Sequence, residues 1–80
     1  MDEIATQLVY CFQTVFPALT EKEIRRASQA SVDAWDSVAA VTLLYVIEEQ
    51  FGLSIHLDRL SELNSFGRIH EYLRQEAGPR

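Results

Sequence analysis

Apolar residues recur at three- and four-residue steps near the start of the chain: Ile4, Leu8, Cys11 or Phe12, and Val15. That spacing gathers them on one side of a helix and predicts a first helix from about Asp2 to Phe16. Asp2 and Glu3 fall in its first turn, where the helix dipole favours negative charge. Pro17 ends it, because the residue before a proline is pushed out of the α region. The period is then lost from Ala18 to Trp35. Within that stretch Thr20 and Glu23 have capping-box spacing, which predicts a turn of helix over Glu21 to Arg26. Ala27-Ser28-Gln29-Ala30-Ser31 reads as loop. A connection this long is unusual in so short a chain, and long loops tend to carry function. Ile24, Val32 and Trp35 are its expected anchors, with Trp35 in the core or as a lid over the loop.

The clearest periodic element follows. Asp36 and Ser37 are both good N-cap residues. Val38, Val41, Leu44, Ile47 or Glu48, and Phe51 trace a helical stripe, widened by Leu43, Tyr45 and Val46. Val38 and Val41 are therefore expected in the core, and Tyr45 and Tyr72 as packing residues. Gly52 stands where a left-handed residue closes a helix, followed by apolar Leu53. Leu53-Ser54-Ile55 reads as a short extended link. Asp58 is expected to cap a short helix running through Leu63. Asn64 or Ser65 can cap a last helix with Phe66, Ile69 and Leu73 on one face and Tyr72 beside it. Three substantial helices and one short one predict an all-α, small four-helix bundle. Residues 1–76 form a single domain in this reading, with a frayed tail over 77–80.

Composition narrows the function. The 80 residues are 48% hydrophobic, an ordinary globular fraction. The net charge of −5 argues against nucleic acid as a partner, since phosphate backbones are met by clustered Lys and Arg. The charge is also localised. From Asp33 to Asp58 there are five acids and no Lys or Arg, while the rest of the chain balances seven acids against seven bases. The whole net charge therefore belongs to the segment around Ser37 and the second helix, and it suggests a partner with a basic patch. Cys11 is the lone cysteine, expected to behave as a small buried hydrophobe. His56 and His70 lack metal-ligand spacing to each other or to Cys11, so no metal is expected. Acids at the N-terminus do not fit a signal peptide, and the apolar run from Val38 to Ile47 is too short to span a bilayer. A soluble, cytoplasmic, monomeric protein is the expectation.

The candidate chemistry centres on Ser37. A catalytic serine needs an adjacent base, itself held by a third group. The two histidines each stand alone in sequence, and Trp35 and Ala39 occupy the glycine positions of a nucleophile elbow. Ser37 could cap the helix, but Asp36 can do that job by itself and leave the serine hydroxyl spare. The third option is a tether. A helix N-terminus presents free N–H groups and a partial positive charge, which suit a phosphate attached there. The modifying enzyme would supply the base.

DSVAAVTLLYVIEEQFGLSI resembles the phosphopantetheine attachment region of acyl carrier proteins. Asp36-Ser37-Val38 match that family's Asp-Ser-Leu, Glu48-Glu49-Gln50-Phe51 its Glu-Glu-x-Phe, and Gly52 to Ile55 its short apolar link. The similarity continues through Leu60 and Leu63 to Ile69 and Tyr72-Leu73; the first helix matches in length and pattern. The resemblance implies the carrier-type bundle and a non-enzymatic protein. Ser37, flanked by Asp36, would bear a 4′-phosphopantetheine arm derived from coenzyme A, with an acyl group held on its thiol as a thioester. It implies as partners a phosphopantetheinyl transferase and acyl-loading, acyl-transferring or condensing enzymes with basic patches. Docking would involve Val38, Val41, Glu48, Glu49 and Asp58. An amino-acyl or peptidyl carrier, or a purely protein-binding acidic helical module, is the alternative. The sequence departs from general fatty-acid carriers at Ala39 and Thr42, where acids are usual, and at Trp35. The glycine pair of peptidyl carriers is absent. These departures suggest a stand-alone carrier in a specialised pathway.

Overall fold

The computed structural model describes residues 3–76. Asp2 and the expected tail over 77–80 lie outside the described residues. The described chain is all-helical: α1 (Glu3–Val15), α2 (Glu21–Arg25), α3 (Ser37–Phe51), a 3₁₀ turn (Leu57–Arg59) and α4 (Phe66–Glu76). Together the helices make a small bundle.

The core is built on α1. Its Leu8, Cys11 and Phe12 are fully buried, facing Leu43, Leu44 and Ile47 of α3 and Ile69 and Leu73 of α4. Phe12 is the hub. Its ring lies 5.3 Å from that of Trp35, nearly perpendicular to it, and 5.4 Å from that of Phe66. Phe16 approaches the same indole at 6.0 Å. Edge-to-face pairs of this kind contribute roughly 0.5–1.5 kcal/mol beyond the area they bury. They clamp Trp35, just ahead of the α3 cap, and Phe66, the first residue of α4, onto α1. Trp35 is thus a core wedge, 2% exposed. Its indole N–H is buried with no acceptor among the described residues.

The long segment before α3 is ordered by local caps and one distant tie. The Thr20 hydroxyl accepts from the Glu23 N–H, and the Glu23 carboxylate accepts from the Thr20 N–H, completing the expected capping box around α2. Ile24 is fully buried beneath it. Residues 27–29 then pair with the start of α4. Gln29 N–H donates to the Asn64 carbonyl at 2.8 Å, and Phe66 N–H donates to the Ala27 carbonyl at 2.9 Å, flanking an isolated Ser28–Ser65 bridge. The loop is tied to the start of α4 because one of its N–H groups and one of its carbonyls are used in this way.

Past α3, Gly52 has φ 67° and takes the left-handed closure. Its N–H and that of Leu53 both donate to the Glu48 carbonyl. The helix expected from Asp58 through Leu63 is a single 3₁₀ turn followed by plain turns. Asp58 lies inside that turn, and His56 precedes it without a side-chain cap. Bonding here is i to i+3, from Arg59 N–H to His56 and from Leu60 N–H to Leu57, which rarely propagates. Arg59 anchors the turn to α4 by lying over the Tyr72 ring, 5.5 Å from its centre. Ser65 caps α4, its hydroxyl accepting from the Arg68 N–H at 3.1 Å.

Candidate functional site around Ser37

The first turn of α3 divides its labour between two neighbouring residues. Asp36 is extended, at φ −94° and ψ −171°, and its Oδ1 accepts from the Ala39 N–H at 2.9 Å. Its carbonyl takes the first helical bond, from Ala40 N–H at 2.8 Å. Asp36 is therefore the cap. Ser37 is the first helical residue, exposed, and its hydroxyl has no partner among the described residues. The backbone N–H groups at this end have no carbonyl a turn earlier to bond; the Asp36 carboxylate takes that of Ala39, and those of Ser37 and Val38 remain open, among the described residues, beside the hydroxyl.

Ser37 stands on the rim of a groove of about 400 Å³. Gln29 comes from the long loop, Ala40 from α3, and Leu57, Asp58, Leu60 and Ser61 from the 3₁₀ region. The wall thus mixes an amide, a hydroxyl and a carboxylate with three apolar side chains. Three separate segments meet there. The tie between residues 27–29 and the start of α4 holds one of them, and the Arg59–Tyr72 contact helps hold another.

Of the candidate docking residues, Asp58 shares this groove with Ser37 and is exposed. The other four lie along α3, and their settings differ. Val38, expected in the core, is 75% exposed; Val41 is half-buried. Tyr45, expected as a packing residue, is 67% exposed. The reason is geometric. α3 packs on α1 through Ala40, Leu43, Leu44 and Ile47, so the side of the helix bearing Val38 and Tyr45 has nothing opposite it. The two glutamates separate as well. Glu48 turns inward, its carboxylate accepting from the Ile55 N–H at 2.6 Å, while Glu49 is exposed. Glu48 thereby pins the extended link that leads into the 3₁₀ turn.

Two residues at this end escaped the sequence reading. Leu57 is 64% exposed and lines both the Ser37 groove and a neighbouring one of about 190 Å³. Gln29 faces Ser37 from a loop with no period to mark it. Neither carried a local signal, because each acquires its place from contacts distant in sequence.

Cys11 is buried, its thiol directed at the Val46 carbonyl at 4.0 Å, and burial pushes its pKa up to about 11. It lies in the α1–α3 packing and not at the Ser37 end. Among the described residues no group of three or more His, Cys, Asp and Glu side chains is placed to hold a metal ion. No described helix is long and apolar enough to cross a membrane.

Compared with protein-family models, with curated proteins and with solved structures, the chain matches none.

Proposed function

We propose that the protein is a carrier of the acyl carrier type, a monomer acting in the cytoplasm, with Ser37 as the attachment point for a 4′-phosphopantetheine arm. The observation that carries this reading is the division of labour at the α3 terminus. Asp36 performs the capping, which leaves the Ser37 hydroxyl exposed and unbonded beside the open N–H groups of the helix terminus.

The neighbouring residues suit such an arm. Its phosphate would stand at the helix terminus, and Gln29 and Ser61 offer an amide and a hydroxyl within the groove beside it. When bound, the arm supplies a terminal thiol that holds an acyl group as a thioester. The Ser37 oxygen forms a bond to phosphorus, the pyrophosphate bond of coenzyme A breaks, and adenosine 3′,5′-bisphosphate leaves. The serine proton passes to a base on the transferase, so the chain needs no histidine of its own. Asp58 and Glu49 are exposed carboxylates available to basic patches on partner enzymes. Glu48 contributes to the same face indirectly, by fixing the link from Ile55.

Incubation with coenzyme A and a broad-specificity phosphopantetheinyl transferase tests this directly. Intact mass is expected to rise by one arm, and Ser37→Ala to abolish the gain while leaving the helical circular dichroism unchanged. An unchanged wild-type mass with several competent transferases would overturn the reading.

A second reading has one observation in its favour. Val38, Tyr45 and Leu57 form an exposed apolar face that a purely protein-binding helical module would also use. Such a module has no need of the Ser37 hydroxyl, so cellular function that survives Ser37→Ala would decide for it.

A further inference from the structure

The outer side of α3 carries more apolar surface than any cap or core requirement explains. Val38 and Tyr45 are 75% and 67% exposed at positions i and i+7, with half-buried Val41 between them on the same stripe. Leu57, 64% exposed, adds to it from the 3₁₀ turn. Between Tyr45 and Leu57 lies the groove of about 190 Å³, lined by Val41, Leu44 and Ile55 together with Glu48, whose carboxylate is held by the Ile55 N–H. Large apolar side chains scattered singly need no explanation, but a contiguous set around a groove marks a contact surface.

The charges around it select the occupant. Asp58 adjoins Leu57 and shares the Ser37 groove; Glu49 shares a groove with Tyr45; Asp36 opens the helix. The span from Asp33 to Asp58 has no Lys or Arg. The first cation beyond it, Arg59, is already committed to Glu62 at 3.2 Å and to the Tyr72 ring. Early in α3, Thr42 is exposed and Ala39 is half-buried against the core, and neither carries charge. The result is an apolar centre with an uncompensated acidic rim. Rim charges of this sort govern encounter rate, whereas a central aromatic in an apolar pocket governs how long a complex lasts.

Building on the carrier reading, we propose that partner enzymes recognise this chain mainly through Tyr45 and Leu57. The complementary surface is an apolar knob that enters the groove between them, encircled by Lys or Arg. Tyr45 is the specificity-determining residue, and the acids set only the approach.

The test uses the full chain, coenzyme A and a broad-specificity phosphopantetheinyl transferase as the probe partner, with kcat/KM read by intact mass. Tyr45→Ser is expected to lower kcat/KM at least about tenfold, at both low and high salt. Leu57→Ser should give a loss of the same kind, and Tyr45→Phe, which keeps the ring, should restore most of the rate. Glu49→Lys should cost about threefold at low salt, and raising salt to about 0.5 M should shrink that difference. Tyr10→Ser, at a tyrosine on α1 that is 59% exposed, should leave the rate unchanged. Wild-type modification with Tyr45→Ser reacting at the wild-type rate overturns this proposal and leaves the carrier reading standing. So does a dimer of the wild type that Tyr45→Ser dissolves, since the face would then belong to a second copy. No mass gain on the wild type overturns both together. Loss of rate that high salt abolishes equally for Tyr45→Ser and Glu49→Lys would assign recognition to charge and overturn the proposal.

Discussion

The two sides of α3 are made from the same kinds of residue and have opposite fates. On the inner side Ala40, Leu43, Leu44 and Ile47 are buried against α1. On the outer side Val38, Val41 and Tyr45 meet solvent or the shallow groove beside Leu57. The difference does not lie in hydropathy. It lies in what stands opposite: Leu8, Cys11 and Phe12 on one side, and no element of the bundle on the other. A helix that is apolar nearly all round is ordinarily buried nearly all round. Where a small bundle can cover only one of its sides, the remaining apolar surface is available for contact with something outside the chain.

The strongest way to break this comparison is through the inner side. Ile47 is fully buried, and truncating it removes several methylenes and leaves a cavity. Ile47→Ala is expected to cost about 2–5 kcal/mol in urea melts. In so short a chain that is a large part of the total stability. A loss below about 1 kcal/mol would mean that α3 is not held by this stripe, and the distinction between its two sides would fail.

The inner side also carries a pH signature. The Cys11 thiol is held up at about 11, against an ordinary 9.0, because burial disfavours the thiolate. The unfolded chain therefore releases this proton first. The folded state keeps its full advantage below pH 9 and loses it as the pH climbs through the folded value. Stability is expected to fall by roughly 2–3 kcal/mol between about pH 9 and pH 11, and Cys11→Ala should flatten that slope. Urea midpoints of both proteins at three pH values measure it. Equal slopes would place the thiol outside the packed interface.

Where α3 ends, Glu48 and Glu49 repeat the contrast at the scale of adjacent residues. Glu48 bonds the Ile55 N–H, and Glu49 is exposed. Glu48→Ala is expected to cost about 1.5 kcal/mol, the usual worth of a charged acceptor on a backbone donor, and Glu49→Ala less than about 0.5 kcal/mol. Amide exchange at Ile55 should rise in the Glu48 variant alone. Equal behaviour of the two variants would remove the inward role assigned to Glu48.

Much of this architecture was readable from local chemistry. The Thr20–Glu23 box, the Asp36 cap, the left-handed Gly52 and the Phe66–Ile69–Leu73 face depend on residues within a turn of one another, and all appear as expected. The misjudged features depend on distant partners. Val38 is expected in the core and Tyr45 as a packing residue because apolar residues flank the traced stripe of α3 on both sides, so its period does not single out the side that is covered. Asp58 read as a cap, yet the chain between Ile55 and Leu63, both buried, connects them with one tight turn. At the candidate site, Ser37 was visible because the residues that flag it are contiguous. Its groove was hidden, since Gln29, Leu57 and Ser61 are brought together only by the Ala27–Phe66 and Gln29–Asn64 bonds and the Arg59–Tyr72 contact.

The smallest expected effect is the sharpest test of the outer side. If Val38 and Tyr45 are free surface in the isolated protein, Val38→Ser and Tyr45→Ser should each change stability by less than about 0.5 kcal/mol. For a chain of this length a full 1 kcal/mol moves the melting temperature by roughly 4–8 °C, so these variants should stay within about 4 °C of the parent. The effect is small because each change removes apolar area from water in the folded and unfolded states alike, and the two contributions cancel. A marked drop would mean that the side chains are covered in solution, by a second copy or by a segment folded back over them. Measuring at two protein concentrations separates those cases, because cover by a second copy makes the melting temperature depend on concentration. Near-silence in stability, set beside the large loss expected at Ile47, is what a helix with one structural side and one contact side requires.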